Sequence, residues 1–179
     1  VTLTSTDDLI EGYSKASGIT YTKTVNITTD TTISLDTASV FDDGTIIRNG
    51  NQLTNTTEFL GFNDTVLRPG EQATATFNIT VNKGFNPQDQ QDLDYIVEYV
   101  ALDNTVQQQT ITQNAEVAAF YSVEARNTTS LTYNTSVSTP SNTSLTIDNV
   151  GNVGSGELTV SSDHPSFFNF YAVGGGGFQ

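Results

Sequence analysis

Cysteine, methionine and tryptophan are absent from this 179-residue chain, and histidine occurs once. The missing cysteine excludes disulfide frameworks, thiolate zinc and iron–sulfur sites, and thiol catalysis together. Basic residues are scarce as well: six Lys and Arg stand against 20 Asp and Glu, a formal net charge of −14. Nucleic-acid phosphates require clustered Lys and Arg, so that partner class is excluded, and an anionic membrane surface is disfavoured for the same reason. No apolar run reaches the roughly 18 residues of a membrane-spanning helix. Membrane insertion of the mature chain is therefore not expected. Neither is the long apolar N-terminal helix by which type IV pilins assemble. The chain opens on Val1 with no basic region followed by an apolar one, the pattern left by removal of a signal peptide or an initiator Met.

What is present is equally one-sided. Thirty Thr, 15 Ser and 16 Asn make up about a third of the sequence. With 35% apolar and 15% charged residues, the chain has too much Val, Ile, Phe and Tyr, and too little charge, for a disordered acidic tail. Its length suits one domain that buries about 70% of its unfolded surface.

The hydrophobic period is that of strands. Ala73, Ala75, Phe77, Ile79 and Val81 alternate with Thr74, Thr76, Asn78 and Thr80, which predicts a strand with one wet face. Arg68-Pro69-Gly70 reads as the turn that feeds it. The same alternation appears at Tyr21, Lys23, Val25 and Ile27, at Leu131, Tyr133, Thr135 and Val137, at Leu145 and Ile147, and at Leu158 and Val160. Tyr95 to Leu102 is almost continuously apolar, as expected of a central strand or of one packed on both faces, and Val117 to Val123 is similar. About ten short strands between Gly, Asn, Asp and Pro turns predict an all-β fold, an antiparallel β-sandwich of immunoglobulin-like or jelly-roll type. At most one short helix is expected, over Thr6 to Ala16, where Ser5-x-x-Asp8 has the form of a capping box and Leu9, Ile10 and Tyr13 form a stripe. The expected organisation is an N-terminal segment 1–17, a single sandwich 18–173 and a Gly-rich tail 174–179.

Seven Asn-x-Ser/Thr acceptors occur, at Asn26, Asn55, Asn63, Asn78, Asn127, Asn134 and Asn142. Asn26, Asn78 and Asn134 fall on the polar phase of their strands, where an N-linked glycan points to solvent and leaves the core intact. Glycosylation at these positions places the protein outside the cytoplasm, extracellular or on the cell surface.

Chemistry-bearing constellations are few, and no catalytic set is expected. Ser162-Asp163-His164 has the letters of a triad, but adjacent residues do not converge on one nucleophile. Seven Glu could supply the paired carboxylates of a glycosidase, yet the Trp platforms that hold sugars are missing. Asp89, Asp92 and Asp94 place three carboxylates within six positions and are the candidate ligands of a structural calcium, a cation that takes six to eight oxygens. Lys23 lies on the apolar phase of its strand, where an unpaired ammonium is costly. It can snorkel at an edge, pair with an inward carboxylate such as Glu98, or form an intramolecular isopeptide bond to an Asn or Asp, with Asn149, Asp148 or Asn152 as partners.

Leu67 to Val81 and Leu145 to Val160, each a strand, a Gly-containing turn and a strand, resemble motifs of archaeal secreted immunoglobulin-like domains. The Thr, Asn and Ser bias, the sequons and the absent cysteine resemble subunits of archaeal surface filaments such as threads and bundling pili. That resemblance implies a homopolymer in which a terminal segment of one subunit completes the sheet of the next, as in β-augmentation. The donor would be either Val1 and Leu3 with their neighbours, or the aromatic stretch of Phe167, Phe168, Phe170 and Val173. The partners are then other copies of the chain and N-linked glycans. Two other functions fit an all-β secreted chain: a jelly-roll capsid or decoration protein, and an adhesin or carbohydrate-binding module.

Overall fold

The computed structural model describes residues 1–42, 47–48, 51–125 and 146–154, with backbone alone for 47–48, 51–52 and 55–56. Two sheets built from residues 2–117 hold the core. The first contains β1 (Thr2–Thr4), β3 (Ile19–Thr28), β9 (Gln72–Val81) and β7 (Thr54–Phe62), in that spatial order. The second contains β2 (Asp8–Ile10), β11 (Val106–Val117), β10 (Gln90–Val100), β4 (Ile33–Asp42) and β8 (Val66–Leu67). All of these pairings are antiparallel except β2 with β11. The order β1-β3-β9-β7 over β11-β10-β4 is the ABED and GFC arrangement of a constant-type immunoglobulin sandwich. Of the two expected architectures, the immunoglobulin-like one is the one formed.

Strand parity builds the core. Ala73, Ala75, Phe77, Ile79 and Val81 of β9 are all buried, and so are Val25 and Ile27 of β3. Facing them, Leu93, Tyr95, Val97 and Tyr99 of β10 are buried too. Phe77 meets Tyr95 edge-on at 5.4 Å between ring centroids, so this contact joins the sheets near their centres. The turn before β9 forms as expected: Glu71 N–H donates to Arg68 O at 3.0 Å, and Gly70 takes a φ of 86° after Pro69. That is the pattern of a type II turn, which needs a left-handed residue at its third position.

Three expectations are corrected. The described residues contain no helix, and Thr6 to Ala16 instead carries β2, followed by a turn at Gly12. A helix would bury Leu9 and Tyr13 on one stripe, but Leu9 is 59% exposed while Ile10 and Tyr13 are buried. Parallel pairing to the end of β11 decides the segment, because it satisfies backbone groups that no isolated short helix could keep satisfied. Second, β11 stops at Val117, and 118–122 is irregular. Third, Tyr95 to Leu102 contributes a central strand as expected, but only its odd positions are buried. Ile96 and Glu98 face outward between polar partners on β4 and β11.

The segment 1–17 is integral to the sandwich, since β1 and β2 belong to its two sheets. Beyond Val117 the described residues form a separate ribbon of β12 (Val123–Ala125) and β13 (Ile147–Asn149). Asn152 ties it to the end of the sandwich, accepting from Phe120 N at 2.7 Å and donating to Ala118 O at 2.8 Å. A small hairpin of β5 (Ile47–Arg48) and β6 (Asn51–Gln52) lies between β4 and β7. The strands expected around 131–137 and 158–160, and the tail 174–179, lie outside the described residues.

Two neighbours on β9 test the parity. Phe77→Ala is expected to lower unfolding free energy by about 3–5 kcal/mol, whereas Thr76→Ala, on the wet face, changes it by about 0.5 kcal/mol or less. Urea denaturation of both variants reads the difference.

Candidate functional site

Two features of the described residues stand apart from ordinary sandwich structure. The first is a polar cluster inside it. Strand parity forces Lys23 of β3 inward, and its side chain is 5% exposed. Its Nζ lies 2.5 Å from Oδ1 of Asp8, itself 14% exposed, and also donates to the Thr6 carbonyl. The other carboxylate oxygen of Asp8 accepts from Tyr21 Oη at 3.0 Å and from Tyr95 Oη at 3.4 Å. The Lys23 ammonium also lies 5.8 Å from the centre of the Tyr95 ring. Asp8 and Tyr95 come from one sheet, Lys23 and Tyr21 from the other. Both charges are therefore paired, and each carboxylate oxygen has a donor, as burial of an ion pair requires.

The phenols are held protonated. Burial, then the neighbouring Tyr95 and the Asp8 carboxylate, push Tyr21 far above the usual tyrosine range. Burial and Asp8 do the same to Tyr95. Tyr13, beyond β2, is also raised by burial, donating to Asn82 O at 2.6 Å and accepting from Phe85 N at 2.9 Å.

The second feature is the free side of β11. This strand pairs with β10 in unbroken register from Val106 to Glu116, but β2 covers only Ala115 to Val117. The Asn114 N–H is capped by Asp7 Oδ1 at 2.9 Å. From Val106 to Gln113 the outer edge has no strand partner among the described residues, and this run, Val-Gln-Gln-Gln-Thr-Ile-Thr-Gln, contains no charge, Pro or Gly.

The other expected residues fall elsewhere. Glu98 faces away from Lys23 and accepts from Gln108 Nε2 at 2.9 Å, so the partner of Lys23 is Asp8. Asn149 is exposed on β13, donating to Val153 O at 2.6 Å, and Asn152 is engaged with Phe120 and Ala118; neither is the partner of Lys23. Asp89 is buried and accepts from Asn86 N at 2.7 Å. Asp92 and Asp94 lie on the opposite, outward phase of β10, bound to Asn114 and Thr112. Asp89, just before β10, is thus buried apart from Asp92 and Asp94 on its outward phase, and no group of three His, Asp or Glu able to hold a metal ion occurs among the described residues. Asn26 and Asn63 are exposed, and Asn78 is half-buried, accepting from Thr22 Oγ1 at 3.2 Å. Asn55 has only its backbone described. Asn127, Asn134, Asn142, His164, Phe167, Phe168, Phe170 and Val173 lie outside the described residues. Leu3 is buried in β1 opposite Ile27, and Val1 packs against the core, so this segment occupies a sheet of its own chain. Tyr95 and Tyr99 are core residues.

No protein-family model matches the chain, and no curated protein matches it. Among solved structures it has a distant likeness to the secreted serine protease VesC from Vibrio cholerae, with 14% identity and a TM-score of 0.36. The match covers 62% of this chain and 21% of that one, and at such a score it carries no argument about activity.

Removing one member of the buried pair leaves the other uncompensated. Lys23→Met is expected to cost about 3–5 kcal/mol of stability. Adding Asp8→Asn, which removes the stranded charge and keeps an acceptor for both tyrosines, recovers part of the loss in denaturant titrations.

Alkaline pH probes the phenols. Their folded pKa values lie above the ordinary 10.0, so the unfolded chain releases protons first as pH rises. Their stabilising contribution is intact below pH 10 and falls above it. Tyrosinate absorbance should therefore rise in two steps, the later one coinciding with loss of the β circular-dichroism signal. Complete ionisation before that loss contradicts the assignment.

Proposed function

We propose that the chain is a structural, non-enzymatic subunit of an extracellular filament, joined to its neighbours by strand addition at the free edge of β11. The observation that carries this is the uncharged run from Val106 to Gln113 in a chain of net charge −14. Monomeric β proteins guard their edges with charge, Pro, bulges or very short strands. Other edges here carry such guards. On β4, Asp36 and Asp42 flank the free side, and the pairing to β10 is bulged opposite Glu98 and Tyr99. On β7, the register shifts twice and Gly61 lies at one of the shifts. β11 has none of these along eight residues, and its β-rich, uncharged sequence is that of a pairing segment.

An incoming strand there would form a full set of backbone hydrogen bonds, with alternate side chains entering beside Ile111, which packs against the core. Of the two donor candidates, β1 already serves its own sheet, so we assign the donor role to the stretch around Phe167, Phe168, Phe170 and Val173 of a neighbouring subunit. Such an interface is heterologous, and its repetition gives an open fibre when its rotation does not close a ring. Asn26 and Asn63, exposed and away from β11, are glycan acceptors in this proposal, in keeping with an extracellular location.

Negative-stain microscopy and size-exclusion chromatography of the full chain test it. Fibres are expected, and Ile111→Lys, which turns a charge inward at the edge, should leave a folded monomer. Closed shells would favour the capsid alternative. Monodisperse wild-type monomers at high concentration, or fibres unchanged by the substitution, overturn the proposal.

A further inference from the structure

We propose that Lys23 and Asp8 condense to an intramolecular isopeptide bond that ties the two sheets covalently. This inference is independent of the filament proposal. It rests on contact, exclusion of water and the arrangement of donors around the Asp8 carboxyl. Lys23 Nζ is 2.5 Å from Asp8 Oδ1, in a site where both side chains are nearly sealed from solvent. The Thr6 carbonyl accepts from the same nitrogen and fixes its direction. Tyr21 and Tyr95 both donate to the other oxygen, Oδ2. An amine and a carboxyl held together in this way react as one molecule, with a large effective concentration.

The bond-making follows the two oxygens. Proton transfer from Nζ to Oδ1 across their hydrogen bond converts the ion pair to a neutral amine and a carboxylic acid. The nitrogen lone pair then attacks Cγ, and negative charge develops on Oδ2, where the two phenolic donors receive it as an oxyanion hole does. Collapse of this intermediate restores the carbonyl at Oδ2 and expels Oδ1 as water, which takes the carboxyl proton and one proton from the nitrogen. A C–N bond replaces a C–O bond, nothing is oxidised or reduced, and no co-reactant is required. The phenols remain protonated donors throughout because burial holds their ionisation well above neutral pH. The product amide keeps its Oδ2 hydrogen bonds, and exclusion of water protects it from hydrolysis.

The place of the bond fits the fold. Immunoglobulin domains commonly join their sheets by a disulfide between the second and sixth strands. In this cysteine-free chain the corresponding strands, β3 and β10, present Lys23 and Tyr95 to one another, with Asp8 alongside.

Intact-mass spectrometry under denaturing conditions decides the matter, using full-length chain made in a host that does not N-glycosylate. The expected mass is one water below that of the sequence, and trypsin should release residues 1–15 joined to residues 16–48 through an uncut Lys23. Asp8→Asn should give the identical product by loss of ammonia instead of water. Lys23→Arg keeps the charge but not the nucleophile and should show the full sequence mass. A wild-type chain at full sequence mass, with trypsin cutting freely after Lys23, overturns the proposal whatever the variants do.

Discussion

Two sheets without a disulfide are held by what their facing side chains can do, and here the strand period leaves little choice. Each of β3, β9 and β10 turns every second residue inward. Most inward positions carry Val, Ile, Phe or Tyr and need only be packed. Gln91 and Lys23 are the polar exceptions on these three strands, and Lys23 alone of their inward residues carries a charge, which in that layer must be neutralised on the spot. Its needs fix the position of Asp8, of the Thr6 carbonyl and of two tyrosine hydroxyls drawn from both sheets. The path of the first ten residues follows from that requirement as much as from apolar burial.

This dependence explains which parts of the molecule were legible in the amino-acid order. Clean alternation over five repeats placed β9 correctly, and the Arg68-Pro69-Gly70 turn before it was readable because Pro and Gly restrict φ directly. Lys23 was recognisable as an inward charge by its phase alone. Its partner was not, because Leu9, Ile10 and Tyr13 fit a helical stripe as well as a strand followed by a turn, and a three-residue strand offers too short a period to arbitrate. Had Asp8-Leu9-Ile10 been taken as a strand, Asp8 would share the phase of buried Ile10 and stand out as the inward carboxylate. Asp89, Asp92 and Asp94 show the reverse case: they are close in sequence, yet Asp89 is buried just before β10 while Asp92 and Asp94 lie on its outward phase.

The free edge was hidden for another reason. Val106 to Gln113 is polar and uncharged, and nothing in its composition tells whether one neighbour or two will flank it. Only the topology shows that β2 ends its cover at Ala115. What marks that edge is the comparison with β4 and β7, whose free sides carry Asp residues, a bulge or shifted register where β11 carries none.

The cluster and the edge are connected through the same few residues. β2 runs parallel to β11 with Asp8 opposite Ala115. Continued backward at that register, Val1 to Asp7 would lie against Gln108 to Asn114 and cover most of the edge. The chain instead leaves the second sheet at Asp8, and Thr2 to Thr4 pair with β3 in the first. Lys23 holds that departure at two points, Asp8 and the Thr6 carbonyl, both on the stretch that crosses between sheets. Sliding β1 back onto β11 would pull these groups away from a buried ammonium and leave it unpaired. The interaction that closes the interior of the sandwich therefore also keeps the N-terminal strand off β11. An edge kept open by a buried ion pair, or by the covalent bond proposed for it, is what the proposed strand addition requires.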